Sequence, residues 1–266
     1  MTFVADILQR VDPGRVEPPI QSIPKIISGL DDLVPGSLAA IRKVYENVFE
    51  NVVCVSRPEV AEMTKLYENC QRMVCIAYAN EMADACVSHG IDPYEVSSAA
   101  ATKPFGYISY SPGLGVGGHC IPVNPFYLLC NNEFPLLQKA TETMWNRPKL
   151  IAQKALEALR ERPRKTGDQH KVLVVGMAFK YGQSSLSNSP GVDLVRSLVL
   201  SGKVAVAWAD PLVAQEAVCV APRLLESDWR PAVLEEFDMI IVSFRQRGLD
   251  FSVLDDLQGV QVESWC

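Results

Sequence analysis

The stretch Lys103 to Pro125, KPFGYISYSPGLGVGGHCIPVNP, decides how the rest of the chain is read. Its 23 residues hold five glycines (Gly106, Gly113, Gly115, Gly117, Gly118) and four prolines (Pro104, Pro112, Pro122, Pro125), which excludes a helix or a central strand. The expectation is a long, shaped loop. Loops beyond about 12–15 residues without regular structure are uncommon in compact domains and are often functional. Within this one, Gly117, Gly118 and His119 lead directly to a single thiol, Cys120. Glycines beside a thiol let backbone N–H groups approach whatever the sulfur attacks, which suits a nucleophile with an oxyanion site. The same pattern also fits a buried loop cysteine beside turn glycines, because cysteine is among the most buried residue types. His119 is read as structural, since adjacent residues of an extended loop point apart.

Working outward, Pro58 opens a helix over about 58–89, with an apolar face that includes Val60, Met63, Tyr67, Cys70 and Met73 and a stop signal at Gly90. At about 1.5 Å per residue it is roughly 45 Å long, a length that spans a domain junction or a dimer interface. Asp92 is placed to cap a second helix, DPYEVSSAAAT. A short helical turn is expected over 125–130 and another long helix over 135–162. Upstream, 24–29 and 52–56 read as short strands flanking a helix over 37–50, while residues 1–22, broken by Pro13, Pro18 and Pro19, show little periodicity. At Lys171 the pattern changes: KVLVVGMAF reads as a buried parallel strand and a glycine turn. A helix over 191–201 and strands over 203–208 and 238–243 complete an αβ alternation, with a boundary near Gly167. The fold class is therefore α/β, a helical central domain with a long helix plus a C-terminal Rossmann-like parallel sheet.

The 266 residues are 48% apolar and 21% charged, proportions that support a packed core. A net charge of −6 argues against binding nucleic acid through its phosphates. Eight scattered cysteines with no CxxC pair read as free thiols in a reducing cytoplasm, and no His/Cys spacing suggests a metal. Neither a signal peptide nor a membrane-spanning segment is expected.

The run GVGGHCIPVNP, together with TKPFG and the helical AEMTKLYEN, resembles the nucleotide-sugar 6-dehydrogenases, the UDP-glucose/GDP-mannose dehydrogenase family, and within it the branch acting on UDP-N-acetyl-hexosamines. The likeness runs from about Val11 to Pro211 and is strongest between Glu59 and Leu128. It implies a UDP-sugar substrate oxidised twice at its C6 alcohol with NAD. Cys120 would hold the aldehyde as a thiohemiacetal and then as a thioester that water hydrolyses. By the same resemblance Lys65 and Asn69, one helical turn apart, serve the oxyanion and the water. Asn124 stands where the family has an aspartate near the cysteine. Phe179 and Lys180, in the turn after Gly176, contact the substrate, and Tyr110 and Gly117 line the sugar nucleotide. The long helix implies a homodimer, or a mixed dimer with a full-length relative.

Three departures temper this. No G-x-G-x-x-G precedes the long helix, and the match at Gly113–Gly118 does not follow a strand, so residues 1–56 read as a remnant of an N-terminal NAD domain. On that reading the chain by itself does not hold NAD in the family's way. Gln9 and Asn124 replace acids, and an amide takes up no proton at pH 7. Ser187 replaces an arginine that reaches the cofactor in the family. The expected parts are 1–56, 57–166 (central, dimerising, with the thiol loop) and 167–266 (nucleotide-sugar-binding). The expected function is a UDP-sugar 6-dehydrogenase homologue with weak or no autonomous activity. The alternatives are a non-catalytic partner of a full-length dehydrogenase and a gene fragment.

Overall fold

In the computed structural model, residues 5–7, 10, 16–163 and 169–266 are described, and they form two compact units, Met1–Gln71 and Arg72–Cys266. Gln9 and the boundary residue Gly167 lie outside the described residues.

The first unit is a three-stranded sheet in the order β1 (Ala5–Ile7), β2 (Lys25–Gly29), β3 (Val52–Val55). β1 runs antiparallel to β2, with Ala5 opposite Gly29, and was not anticipated: three residues carry no readable periodicity. β2 and β3 are parallel, with Lys25 opposite Val52, and α1 (Ser37–Tyr45) makes the crossover between them. Asp31 starts α1 by accepting from the Gly36 and Leu38 N–H groups at 2.9 and 3.0 Å, donors that a helix start leaves unsatisfied. α1 ends five residues earlier than its apolar stripe suggests. Phe49 turns back to stack on Tyr45, 5.9 Å between centroids, and both rings face the Lys25 ammonium at 5.4–5.7 Å. Ile26 and Ala61 close a small core with Val55.

α2 (Pro58–Ser88) runs through both units as one helix of 31 residues, as its periodicity indicates. In the second unit it is followed by α3 (Pro93–Ala101), whose cap is Asp92 accepting from Tyr94 N–H at 2.9 Å, then by α4 (Asn124–Leu129) and α5 (Pro135–Arg160). Residues 103–123 contain no helix or strand, in keeping with their glycines and prolines.

The remaining elements are β4 (His170–Val175), α6 (Pro190–Ser201), β5 (Val204–Ala209), α7 (Pro231–Leu234), β6 (Met239–Val242) and β7 (Gln261–Ser264). They make a parallel sheet in the order β5-β4-β6-β7. Successive side chains of a strand point to opposite faces, so KVLVV feeds two cores. Val172 and Val174 pack with Trp208, with Ile151, Ala155 and Leu159 of α5 and with Val195 and Leu198 of α6; Leu173 and Val175 pack with Leu234, Phe237 and Leu254 on the other face. Each fully buried aliphatic side chain contributes about 1.5–3 kcal/mol. β7 escaped the sequence reading because, at the sheet edge, its residues alternate half-buried and exposed and include Glu263.

Candidate functional site

The thiol loop is pinned at two glycines, and at each of them both the N–H and the carbonyl are engaged. Gly113 N–H donates to Asn80 Oδ1 of α2 at 2.9 Å, and its carbonyl accepts from Arg147 Nε of α5 at 2.9 Å. Asn80 is fully buried, and its Nδ2 donates to the Ile76 carbonyl. Arg147 is held in turn by Asp84, at 2.8 and 3.0 Å, and lies over the Trp265 ring. Five residues on, Gly118 N–H donates to the Ser187 carbonyl at 2.8 Å, and the Gly118 carbonyl accepts from Asn188 Nδ2 at 2.8 Å. Leu114, between the pins, is buried in the core.

At the second pin, the adjacent glycines Gly117 and Gly118 let the loop sit directly on Phe179. A Cβ at Gly117 would meet Phe179 Cβ at 2.7 Å and the Asn188 carbonyl oxygen at 3.2 Å; one at Gly118, whose φ is +95°, would press on the Phe179 ring at 3.1 Å. A side chain at Gly117 would force its surroundings to shift, and one at Gly118 would be strained by the left-handed backbone. His119 is drawn sideways, its Nδ1 paired with Ser187 Oγ at 3.0 Å. Cys120 is exposed, and its carbonyl accepts from the N–H groups of Val123 and Asn124 at 3.2 and 2.8 Å, which starts α4. Asn124, half-buried, is therefore one turn from the thiol.

The turn that receives this loop, residues 176–190, is itself well fastened. Buried Asp210 accepts from Met177 and Ala178 N–H at 2.8 and 3.0 Å. Gln246, also buried, accepts from Gly182 N–H and donates to the Gln183 carbonyl. Ser189 caps α6 by accepting from Val192 N–H. Lys180 follows Phe179 and is half-buried. Phe179, Lys180, Gly117 and Cys120 thus share one locality, whereas Tyr110 stands elsewhere in the same unit. It lines an apolar cavity of about 880 Å³ with Cys75, Tyr78 and Tyr107. Burial, then the neighbouring Cys75, push its hydroxyl pKa upward.

Lys65 and Asn69 stand one turn apart on α2 in the first unit, Asn69 buried and Lys65 half-buried. Lys25, almost fully buried, has its ammonium pKa lowered first by burial and then by the like charge of Lys65. In the same unit Glu68 pairs with Arg10 at 2.6 Å.

The sequence model of the UDP-glucose/GDP-mannose dehydrogenase family, central domain, matches residues 59–143. UDP-N-acetyl-D-mannosamine dehydrogenase of Pyrococcus horikoshii is 34% identical over 202 residues, which is 74% of this chain and 47% of that protein. The chain belongs to the UDP-glucose/GDP-mannose dehydrogenase family. NDP-N-acetyl-D-galactosaminuronic acid dehydrogenase of Ralstonia solanacearum is similar in the same way, 31% identical over 74% of this chain and 45% of its own length. Among solved structures, the UDP-D-ManNAc dehydrogenase from P. horikoshii superposes with a TM-score of 0.80 at 27% identity, covering 99% of this chain and 64% of that one. The chain spans about half the length of the curated relatives it matches. These relatives place it in the N-acetyl-hexosamine branch of the dehydrogenase family, as the GGHCIPVNP run suggested.

Four N–H groups of the thiol loop and of the turn after β4 are committed within the chain. At Gly113 and Gly118 the N–H and carbonyl groups are already paired within the chain, and the Met177 and Ala178 N–H groups after β4 face the Asp210 carboxylate. A pyrophosphate needs such N–H groups directed at itself. Among the described residues, no cluster of three or more His, Cys, Asp or Glu could hold a metal ion, and no helix is long and apolar enough to cross a membrane.

Sequence reasoning missed Asn80, Arg147, Asn188, Asp210 and Gln246. The one signal at hand was polarity out of place. Asn80 and Arg147 interrupt the apolar faces of long helices, and Asn188 sits just before the Ser-Pro start of α6.

Proposed function

We propose that this chain carries the thiol and nucleotide-sugar part of a UDP-sugar 6-dehydrogenase, an oxidoreductase that converts a CH–OH group to a carboxylate with NAD as acceptor. The observation that supports it is the seating of Gly117 and Gly118 on Phe179. Phe179, Lys180 and Gly117, which the family likeness assigns to the substrate, and the loop that bears the nucleophile form one fastened body. In this reading Phe179 stacks against the ligand, the Lys180 ammonium meets its negative charge, and Cys120 adds to an aldehyde carbon at C6. Lys65 and Asn69 keep the roles that the likeness gives them. UDP-N-acetyl-hexosamines are the substrate class, after the names of the relatives.

The 266 residues alone turn over such a substrate weakly or not at all. The Gly113, Gly118, Met177 and Ala178 N–H groups are committed within the chain and so are not available to a pyrophosphate, and Asn124, where the likeness has an aspartate, has no basic group to activate water. The three-part division at 1–56, 57–166 and 167–266, with the first part a remnant of an NAD domain, belongs to the same proposal. The test is calorimetric: Lys180→Ala is expected to weaken binding of UDP-N-acetylglucosamine roughly tenfold, the value of one charge-assisted contact, with no change in the unfolding midpoint. Equal affinity in both proteins would count against the reading.

A second reading, a partner of a full-length dehydrogenase, draws on exposed apolar surface. Tyr67, Tyr78 and Val87 of α2 are 72%, 62% and 62% exposed, and β3 is an edge strand with Val53 45% exposed. Surfaces of this kind are usually covered by another chain. A homodimer through α2 and a mixed dimer both satisfy it, and sedimentation with and without the full-length relative separates the two.

A further inference from the structure

Asn188 is the one non-glycine residue with positive φ among the described residues, at +47°. Glycine would adopt that backbone without strain, and asparagine is the side chain that best tolerates it. What asparagine adds is its amide, and that amide donates to the Gly118 carbonyl at 2.8 Å, two residues before the thiol. The neighbouring Ser187 grips the same loop twice, through its carbonyl on Gly118 N–H and through its hydroxyl on His119 Nδ1. All three bonds come from the turn that also bears Phe179 and Lys180. Phe179 N–H is itself bonded to the Ser185 carbonyl at 3.1 Å, so the turn closes on itself immediately before the clamp.

We propose that Asn188 is a positioning residue for Cys120: it ties the Phe179–Lys180 turn to the thiol loop, so that a nucleotide sugar bound on the turn is sensed at the sulfur. The inference rests on the reading that this turn holds the nucleotide sugar. Its physical content is that the strained Asn188 backbone is maintained for a side-chain bond, and that the bond transmits order from the turn to Gly118 and onward to Cys120. The Ser187 hydroxyl, which stands where the family likeness has an arginine, is thereby given a local partner in His119.

Two variants separate the side-chain bond from the backbone. Asn188→Asp keeps the size and the tolerance of positive φ and loses the donor; Asn188→Gly removes the strain together with the donor. The readouts are hydrogen exchange at the Gly118 amide, the dissociation constant for UDP-N-acetylglucosamine, and the rate of Cys120 alkylation by iodoacetamide with and without that ligand, resolved by peptide mass spectrometry. Both variants are expected to fold and to bind the nucleotide sugar within about twofold of wild type. Gly118 exchange should rise, and the protection of Cys120 by bound ligand should fall, each roughly two- to tenfold, the range for one lost hydrogen bond. A merely structural bond would change exchange and leave the protection ratio alone, and that result overturns the proposal. Unchanged exchange with binding intact overturns the clamp itself. Failure of wild type to bind the nucleotide sugar overturns the reading of Phe179 and Lys180 and the coupling with it, and calorimetry shows that failure separately.

Discussion

Arg147 holds Asp84 through both terminal nitrogens of its guanidinium, at 2.8 and 3.0 Å, and turns its Nε to the Gly113 carbonyl at 2.9 Å. One side chain thus fastens α5 to α2 and both to the middle of the thiol loop. The planar fork of arginine makes the three bonds together, and a lysine ammonium cannot reproduce them. Arg147→Lys is expected to lower stability by roughly 1–3 kcal/mol, read as a shift of the urea midpoint at constant m value. Asp84→Asn should cost less, because its carboxylate side is 37% exposed and partly solvated already. A lysine variant as stable as wild type would remove Arg147 from the account of how the loop is held.

Asp210 offers a second test of the same scaffold. Its Oδ2 takes the Met177 and Ala178 N–H groups and its Oδ1 the Leu212 N–H at 2.9 Å, all at the C-terminal end of the parallel sheet. Asp210→Ala leaves buried donors without an acceptor, at a cost of roughly 2–4 kcal/mol. Because the same turn carries Phe179, nucleotide-sugar binding should weaken in parallel. Stability lost with affinity intact would mean that the turn binds nothing.

Cys70 and Cys120 should differ sharply in reactivity. Burial pushes the Cys70 thiol from 9.0 up to about 11, while Cys120 is exposed. At pH 8 iodoacetamide is expected to label Cys120 at least tenfold faster, since only the thiolate reacts. The same shift affects stability. Between about pH 9 and 11 the unfolded Cys70 thiol has ionised and the folded one has not, so the unfolded chain holds fewer protons and stability falls as pH rises across that window. Cys70→Ala should flatten that slope, and an unchanged slope would assign the alkaline loss of stability to other groups.

Asp31 gives the acid counterpart. Hydrogen bonds first from Leu38 N–H, then from Gly36 N–H and Ser37, hold its carboxyl below the usual range against an opposing burial effect. The contribution is complete above the unfolded value of about 3.9 and is lost as pH falls through the lower folded value. Protection of the Leu38 amide, its exchange measured against the unstructured chain at the same pH, should therefore fall below about pH 4 in wild type, and Asp31→Ala should show low protection at every pH.

Much of this fold was legible because its signals are local. α2, α5 and the KVLVV strand announce themselves by apolar period, and Asp92 caps α3 as its type and place suggest. The thiol loop was legible as a loop from its glycines and prolines. What was hidden depends on distant neighbours. Gly113 meets Asn80 and Arg147 from 33 and 34 positions away, and Asn188 meets Gly118 across 70. α1 ends early because Phe49 folds back over Lys25, a packing event that no helix propensity records. The expectation of loop N–H groups facing a substrate met a specific exception at Gly118, whose N–H already serves Ser187.

The most direct measurement is calorimetric titration of the purified chain with UDP-N-acetylglucosamine and, separately, with NAD. The account predicts saturable binding of the nucleotide sugar and none of NAD, because Phe179 and Lys180 stand on a fastened turn while the Gly113, Gly118, Met177 and Ala178 N–H groups are already paired within the chain. Saturable NAD binding, or no binding of the nucleotide sugar, would contradict it.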